Sequence, residues 1–387
     1  MAAGSMINLI ASVNILAVEV QAETTGENSV AYIVTLSPAD VNGRSYRTAA
    51  AVAADADLHA TDKAALTAMI AAGGAGFGTV YVARYDTSTE DATDALAALT
   101  AAGYVPGWHF LHVVVAERVD AEIAFASDWV GALPAAYADL ALVYGQLATS
   151  SIKSGTVPAG VVASDGATKT TICYDDRDSS YTVERFVGGI AGASKPISAT
   201  DPTTTGRPSI AIRACPTSVG QMTADLTDPQ LALVTGRGSG QASCVAHVKR
   251  TPTSAAATDR QWGLGYTVGG TLLDVEYTVA RIKLDALARI ASLVRVRSLP
   301  GNDPIRATAQ DAKIVAGAVG ERLNIFRDLR YLDRRPTADL TLGIPALPDA
   351  YTVVGSVSSS TGIAVAVALG IGADTRSFAI SGIAYVG

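Results

Sequence analysis

Through the first half of the chain, short β-branched runs alternate with longer segments whose apolar residues recur at helical spacing. Residues 6–20 are mostly apolar and β-branched with one charge, Glu19, and read as a strand at a terminus. The polar residues 21–28 follow as a linker, and 31–36 form a second strand. Thr61 or Asp62 caps a predicted helix that the Gly73-Gly74 pair ends. Residues 79–84 are a strand. Ser88 caps a helix over 90–102, with acidic residues in its first turn and Gly103 behind its last. Strand 109–116, helix 119–133, strand 140–144, strand 170–174 and helix 181–193 continue the alternation, which predicts βαβ units and a largely parallel sheet.

The rhythm changes after residue 200. Segments 209–214, 231–235 and 243–248 read as short strands between Pro- and Gly-containing loops. Two long helical patterns follow. Over 272–294, Leu272, Val275, Val279, Ile282, Leu287, Ile290 and Val294 lie close to one stripe. Arg281, Asp285 and Arg289 alternate in sign at i,i+4 spacing and mark its predicted exposed face. Residues 308–328 repeat the pattern with Ile314, Val315, Ala318, Leu323 and Phe326. Beyond Pro336 only strands are predicted, at 337–342, 351–356, 362–369 and 377–386. The predicted fold class is α/β: a βαβ-type body with mixed sheets, an α+β domain with two long helices, and extended strand arms at both ends. The divisions are an arm over 1–22, an α/β domain over 23–200, and an α+β domain over 201–387 that ends in the second arm.

Hydrophobic residues make up 49% of the 387, and charged residues only 17%, against roughly 25% in an ordinary soluble domain. So few charges suggest that much of the surface is covered by other protein. The net charge of −7 argues against free nucleic acid as a direct partner. That charge is uneven: residues 1–150 carry −11 and residues 249–335 carry +6. Two readings stand: two surfaces with different partners, or a basic stretch that pairs with the acidic one inside the subunit. The longest apolar run, 362–373, is about 12 residues, short of the ~20 that cross a bilayer, so no membrane insertion is expected. No Lys or Arg precedes Arg44, so a basic secretory leader is not expected either.

Motifs of catalysis do not assemble, and no enzyme activity and no cofactor are expected. There is no Gly-Lys pair for a phosphate loop. Gly74-Ala75-Gly76 lacks a third glycine at the dinucleotide offset and precedes a strand instead of following one. Ser239 has Arg237 and Gln241 where a nucleophile elbow needs glycines. His109 and His112, three apart on a predicted strand, point to opposite faces and do not chelate one metal. Asp175, Asp176 and Asp178 read as a solvated turn, and Cys173, Cys215 and Cys244 as reduced thiols.

Both ends are apolar strands on looser tethers. Such edges invite aggregation unless they pair, either within the subunit or with a neighbour. The arm INLIASVNILAV, the segment SYRTAAAVAADADLHATDKAALTAMIAAG followed by VYVARYD, and the rear segments GGTLLDVEYTVARIKLDALARIASLV and RLNIFRD together resemble contractile tail sheath proteins of bacteriophages and related contractile injection systems. The resemblance implies a virion structural protein, assembled in the host cytoplasm, that polymerises helically around a tail tube and contracts to drive the tube through a cell envelope. It implies arm strands shared between subunits, carried by Leu9, Ile10, Val13, Ile15 and Val18 in front and Phe378, Ile380, Ile383 and Tyr385 behind. It implies an inner domain facing the tube, with Lys313, Arg322, Arg327 and Arg330 as candidates, not all of them on one face. The implied partners are other copies of the chain, a tail tube protein, and baseplate and tail terminator proteins. The competing expectations are another self-assembling virion subunit, of a tube or capsid, and an α/β enzyme of unknown type.

Overall fold

A computed structural model of the chain describes residues 9–14, 26–134, 137–146, 159–173, 181–193, 245–246, 248–250, 260–262, 267–271, 273–328, 332, 349–359 and 362–369. The predicted strands at 209–214, 231–235, 337–342 and 377–386 lie outside these residues, as do the aspartate turn at 175–178 and the glycine loop at 236–240. The elements in chain order are β1 (Leu9–Asn14), β2 (Val30–Val34), β3 (Ser45–Tyr46), α1 (Ala49–Ala54), α2 (Ala60–Gly73), β4 (Val80–Arg84), α3 (Ala92–Ala101), β5 (His112–Val115), α4 (Asp120–Gly131), β6 (Leu142–Gln146), α5 (Ala159–Val162), β7 (Thr170–Cys173), α6 (Thr182–Ala193), β8 (Val245–Ala246), β9 (Val248–Arg250), β10 (Arg260–Trp262), α7 (Leu273–Arg297), α8 (Ala309–Asp328), β11 (Tyr351–Ser359) and β12 (Gly362–Leu369).

The main sheet has the order β3-β4-β2-β5-β6-β7-β8. All its strands run parallel except β3, which pairs antiparallel with β4 at the edge. The chain steps from β2 to β4 on one side, then crosses to β5 on the other, which is the doubly wound plan. Every residue of β2 and β5 is buried, because helices cover both faces; this is why these strands read as unbroken apolar runs. Helices α3 and α4 pack together on one face. Helices α2 and α6 cross on the other, closely enough that a Cβ on Gly188 would lie 2.1 Å from the Met69 carbonyl oxygen, and one on Gly192 1.9 Å from that of Gly73.

Two caps differ from those predicted. His59 caps α2 by accepting from the Thr61 N–H, whereas Asp62 is buried and accepts a 2.6 Å bond from the Ser37 hydroxyl. Asp91, not Ser88, starts α3: its carboxylate accepts from Thr93 and Asp94, and the Asp94 carboxylate accepts from the Asp91 N–H. Ser88 instead donates to Asp86 at 2.7 Å and closes the preceding turn.

A second core lies beside the first. Strands β1, β12 and β11 form an antiparallel sheet in that order, and α7 and α8 pack on it. Helix α7 serves both cores: Leu273, Tyr277 and Ala280 belong to the first, and Ile282, Ala286 and Ile290 to the second. The predicted exposed face of this helix is therefore mostly buried. Arg281 and Asp285 are each 3% exposed, and of the three alternating charges only Arg289 reaches solvent, where it pairs with Glu321 at 2.9 Å. Spacing alone reads such a row as a solvated face; here the counter-charges come from other elements.

Candidate assembly surface

The small antiparallel sheet is built by alternation. Ile363, Val365, Val367 and Leu369 of β12 are buried toward the helices, while Ala366 is exposed. On β11, Val353 is half-buried and Val354 is 61% exposed. Gly355 lets the strand touch α8: a Cβ there would lie 2.1 Å from the Ala312 carbonyl oxygen. The Tyr351 hydroxyl fastens the same strand to α8, bonding Asn324 Oδ1 at 2.8 Å and the Gly320 carbonyl at 3.2 Å.

The front arm lies on this sheet within its own chain. Leu9 faces Leu369, Ile10 faces Ala368, and Val13 faces Val365 in the antiparallel register. Ile15, Val18, Phe378, Ile380, Ile383 and Tyr385 lie outside the described residues. Among those residues, the outer edges of β1 and β11 have no strand partner.

The four basic candidates separate. Lys313 is exposed on the first turns of α8. Arg322 is turned inward, holding both oxygens of Asp285 at 2.6 and 2.7 Å, with its side chain 12% exposed. Arg327 bonds its neighbour Asp328 at 3.2 Å, and Arg330 lies outside the described residues. The exposed end of the α7–α8 hairpin carries Arg295 and Arg306 with Val296 and Leu299, each more than half exposed in the case of the two apolar residues. Sequence reasoning passed over these residues. The available signal was Pro300-Gly301 and Pro304, which mark the turn and so place its flanking arginines at a tip.

Several buried polar groups pair with one another within the fold. His112 sits wholly buried between strands, stacked on Tyr277 with ring centroids 5.8 Å apart. Its Nε2 faces the Glu27 carbonyl at 3.2 Å and therefore donates; its Nδ1, 3.0 Å from the Tyr144 hydroxyl, accepts. Glu27 meets the Arg281 guanidinium and accepts from the Tyr277 hydroxyl at 3.3 Å. Burial pushes the Glu27 carboxyl up to about 7, with Arg281 and Tyr277 opposing. Burial pushes His112 down to about 4. Lys169 bridges Asp139 at 2.5 Å and Glu276 at 2.9 Å. His109 stands outside β5 and packs edge-on against Tyr81 and Tyr104. Among the described residues, no group of three or more His, Cys, Asp or Glu could hold a metal ion, and no helix is long and apolar enough to cross a membrane.

No protein-family model and no curated protein matches the sequence. Solved structures do. The chain is similar to one in the six-fold symmetrised cryo-EM structure of the anti-feeding prophage baseplate, with a TM-score of 0.57 at 12% identity, covering 94% of this chain and 97% of that one. It is also similar to the sheath tail protein of Listeria innocua, with a TM-score of 0.50 at 10% identity, covering 89% of this chain and 95% of that one. Sequence identity this low carries no residue roles across. It leaves the architecture, matched over nearly the whole of each chain: this protein has the tail sheath fold.

Proposed function

We propose that this chain is the structural subunit of a contractile tail sheath. Copies polymerise helically around a tail tube, join through shared arm strands, and contract to drive the tube through a target envelope. The observation that carries the reading is the fold likeness to a sheath tail protein and to a baseplate chain over about nine-tenths or more of each length. The pairing of β1 on β12 supports the strand-sharing part. It sets out a six-residue register that the same segment of a neighbouring copy could take without change. The work is mechanical, so its energy is conformational and the role is not enzymatic. Its partners are other copies, a tube protein, and baseplate and terminator proteins, in a virion tail assembled in the host cytoplasm.

Electron microscopy of the purified protein tests this. Striated cylinders are the expected result. Smooth narrow tubes or closed shells would make it a different virion subunit, and monodisperse particles at every concentration would remove the polymer reading. Deleting residues 1–20 is expected to leave a folded subunit by circular dichroism, lacking only the β1 strand signal, and to abolish cylinders. Cylinders from the truncated chain would exclude a shared front arm. On the expectation of a rear arm strand over 377–386, Ile380→Pro would remove a ladder donor and is expected to block assembly more than subunit folding.

A further inference from the structure

The two cores meet across α7 through a row of alternating charge. Glu27, just before β2, contacts Arg281 of α7. One turn along α7, Asp285 is held by Arg322 of α8 through two bonds of 2.6 and 2.7 Å. Glu27, Arg281 and Asp285 are at most 3% exposed. The row thus runs from the α/β body, through α7, into the second core, with acid and base alternating along it. Beside it Val279, Ile282, Lys283 and Ala286 of α7 line a small, mostly apolar hollow with Val319, Leu323, Val367 and Leu369.

We infer that this row is a docking register, which fixes one seating of the helical hairpin and its sheet on the α/β body. Aliphatic contact is non-directional and by itself sets no single seating. The charges do not tolerate a slide. Slipping α7 against the body by one turn, about 5.4 Å, takes Arg281 away from Glu27 and puts in its place either Asp285, a second buried carboxyl, or the uncharged Tyr277. Slipping it against α8 brings Arg281 or Arg289 to Arg322, so like charges meet in either direction. Removing two ions from water costs about as much as their attraction returns, so such a row adds specificity and little stability. Lys169 with Glu276, and Lys283 with the Ala138 carbonyl and Asp139, also join α7 to the body.

The test uses the full chain with spin labels on a noncanonical amino acid at Glu90 in the body and Lys313 on α8, both exposed. The parent should give one narrow distance. Replacing all four charges by apolar residues (Glu27→Met, Arg281→Met, Asp285→Leu, Arg322→Met) should keep the melting temperature within about 5 °C and broaden the distance into several. Exchanging one rung (Asp285→Arg with Arg322→Asp) keeps that pair but breaks the alternation, and should also broaden it. Inverting all four charges should restore a single distance. The inference is overturned if the apolar variant keeps one narrow distance, or if the exchanged rung does. It is also overturned if the apolar variant melts far below the parent, which would make the row an element of stability.

Discussion

Glu27 and His112 share a hydrogen bond and respond to burial with opposite signs. The folded Glu27 carboxyl titrates near 7 instead of 4.5, so the unfolded chain ionises first and stability falls as pH rises between those values. Folded His112 titrates near 4 instead of 6.5, so the unfolded chain binds the proton first and stability falls as pH drops through that window. Each slope is about 1.4 kcal/mol per pH unit at most, and from about pH 4.5 to 6.5 they oppose. The parent is therefore expected to show little net slope there from this pair. Glu27→Gln should unmask stability that rises with pH over that window, and His112→Gln stability that falls with it. Denaturant midpoints measured at half-unit pH steps check both; parallel curves for the two variants would show that neither group titrates as described. Arg322 belongs to this scale too. Arg322→Ala leaves Asp285 buried and unpaired, at a cost of about 3–5 kcal/mol, whereas Lys313→Ala on the exposed face should cost less than about 0.5.

At the scale of elements, glycines decide how closely helices approach. Gly188 and Gly192, four apart on α6, put its backbone against that of α2, and a Cβ at either would meet a carbonyl oxygen at about 2 Å. Gly188→Ala and Gly192→Ala are each expected to destabilise the subunit by about 1–3 kcal/mol through forced separation of the pair. Gly317, on α8, has nothing near its missing Cβ, and Gly317→Ala should be neutral or gain up to about 1 kcal/mol from helix propensity. Thermal unfolding of the three variants separates a packing role from an intrinsic one. The predicted strand over 362–369 is β12, because its alternation of Val and Ala is local information. The caps were less legible: Thr61, Asp62 and Ser88 are all capping residue types, but the backbone path chose His59 and Asp91. The clustered glycines of α6 showed no partner in the sequence, since α2 lies more than a hundred residues away.

At the scale of the molecule, the basic excess over residues 249–335 divides into two uses. Arg281, Lys283 and Arg322 are consumed inside the fold, while Arg295, Arg306 and Lys313 remain at the exposed end of the α7–α8 hairpin. We propose that in such a sheath this end is the surface offered to a tube of opposite charge. Arg306→Glu with Lys313→Glu is expected to reduce assembly on tubes severalfold without lowering the melting temperature, and raising salt from 0.1 to 0.5 M should mimic it by shortening the Debye length from about 10 Å. Unchanged assembly in both arms would assign the hairpin end to another role. Each exposed pair is worth about 0–1 kcal/mol, which suits a contact repeated along a polymer that must later release.

The longer strands and helices, such as β2, α2, β4, α3, α7, α8 and β12, were legible because they rest on apolar spacing, β-branched runs and turn residues, all of which act between near neighbours; the short β3, α1 and α5 were not. The division of charge between front and rear was legible in the sequence as well. The sheet order, in which β2 lies between β4 and β5 and β8 joins from beyond residue 240, came only with the tertiary structure. So did the fate of α7. Its alternating charges have the spacing of a solvated face, yet that face is buried, because Glu27 and Arg322 bring counter-charges from segments about 250 and 40 residues away. Local spacing states that a helix forms; only the partners that close over it determine which of its faces meets water.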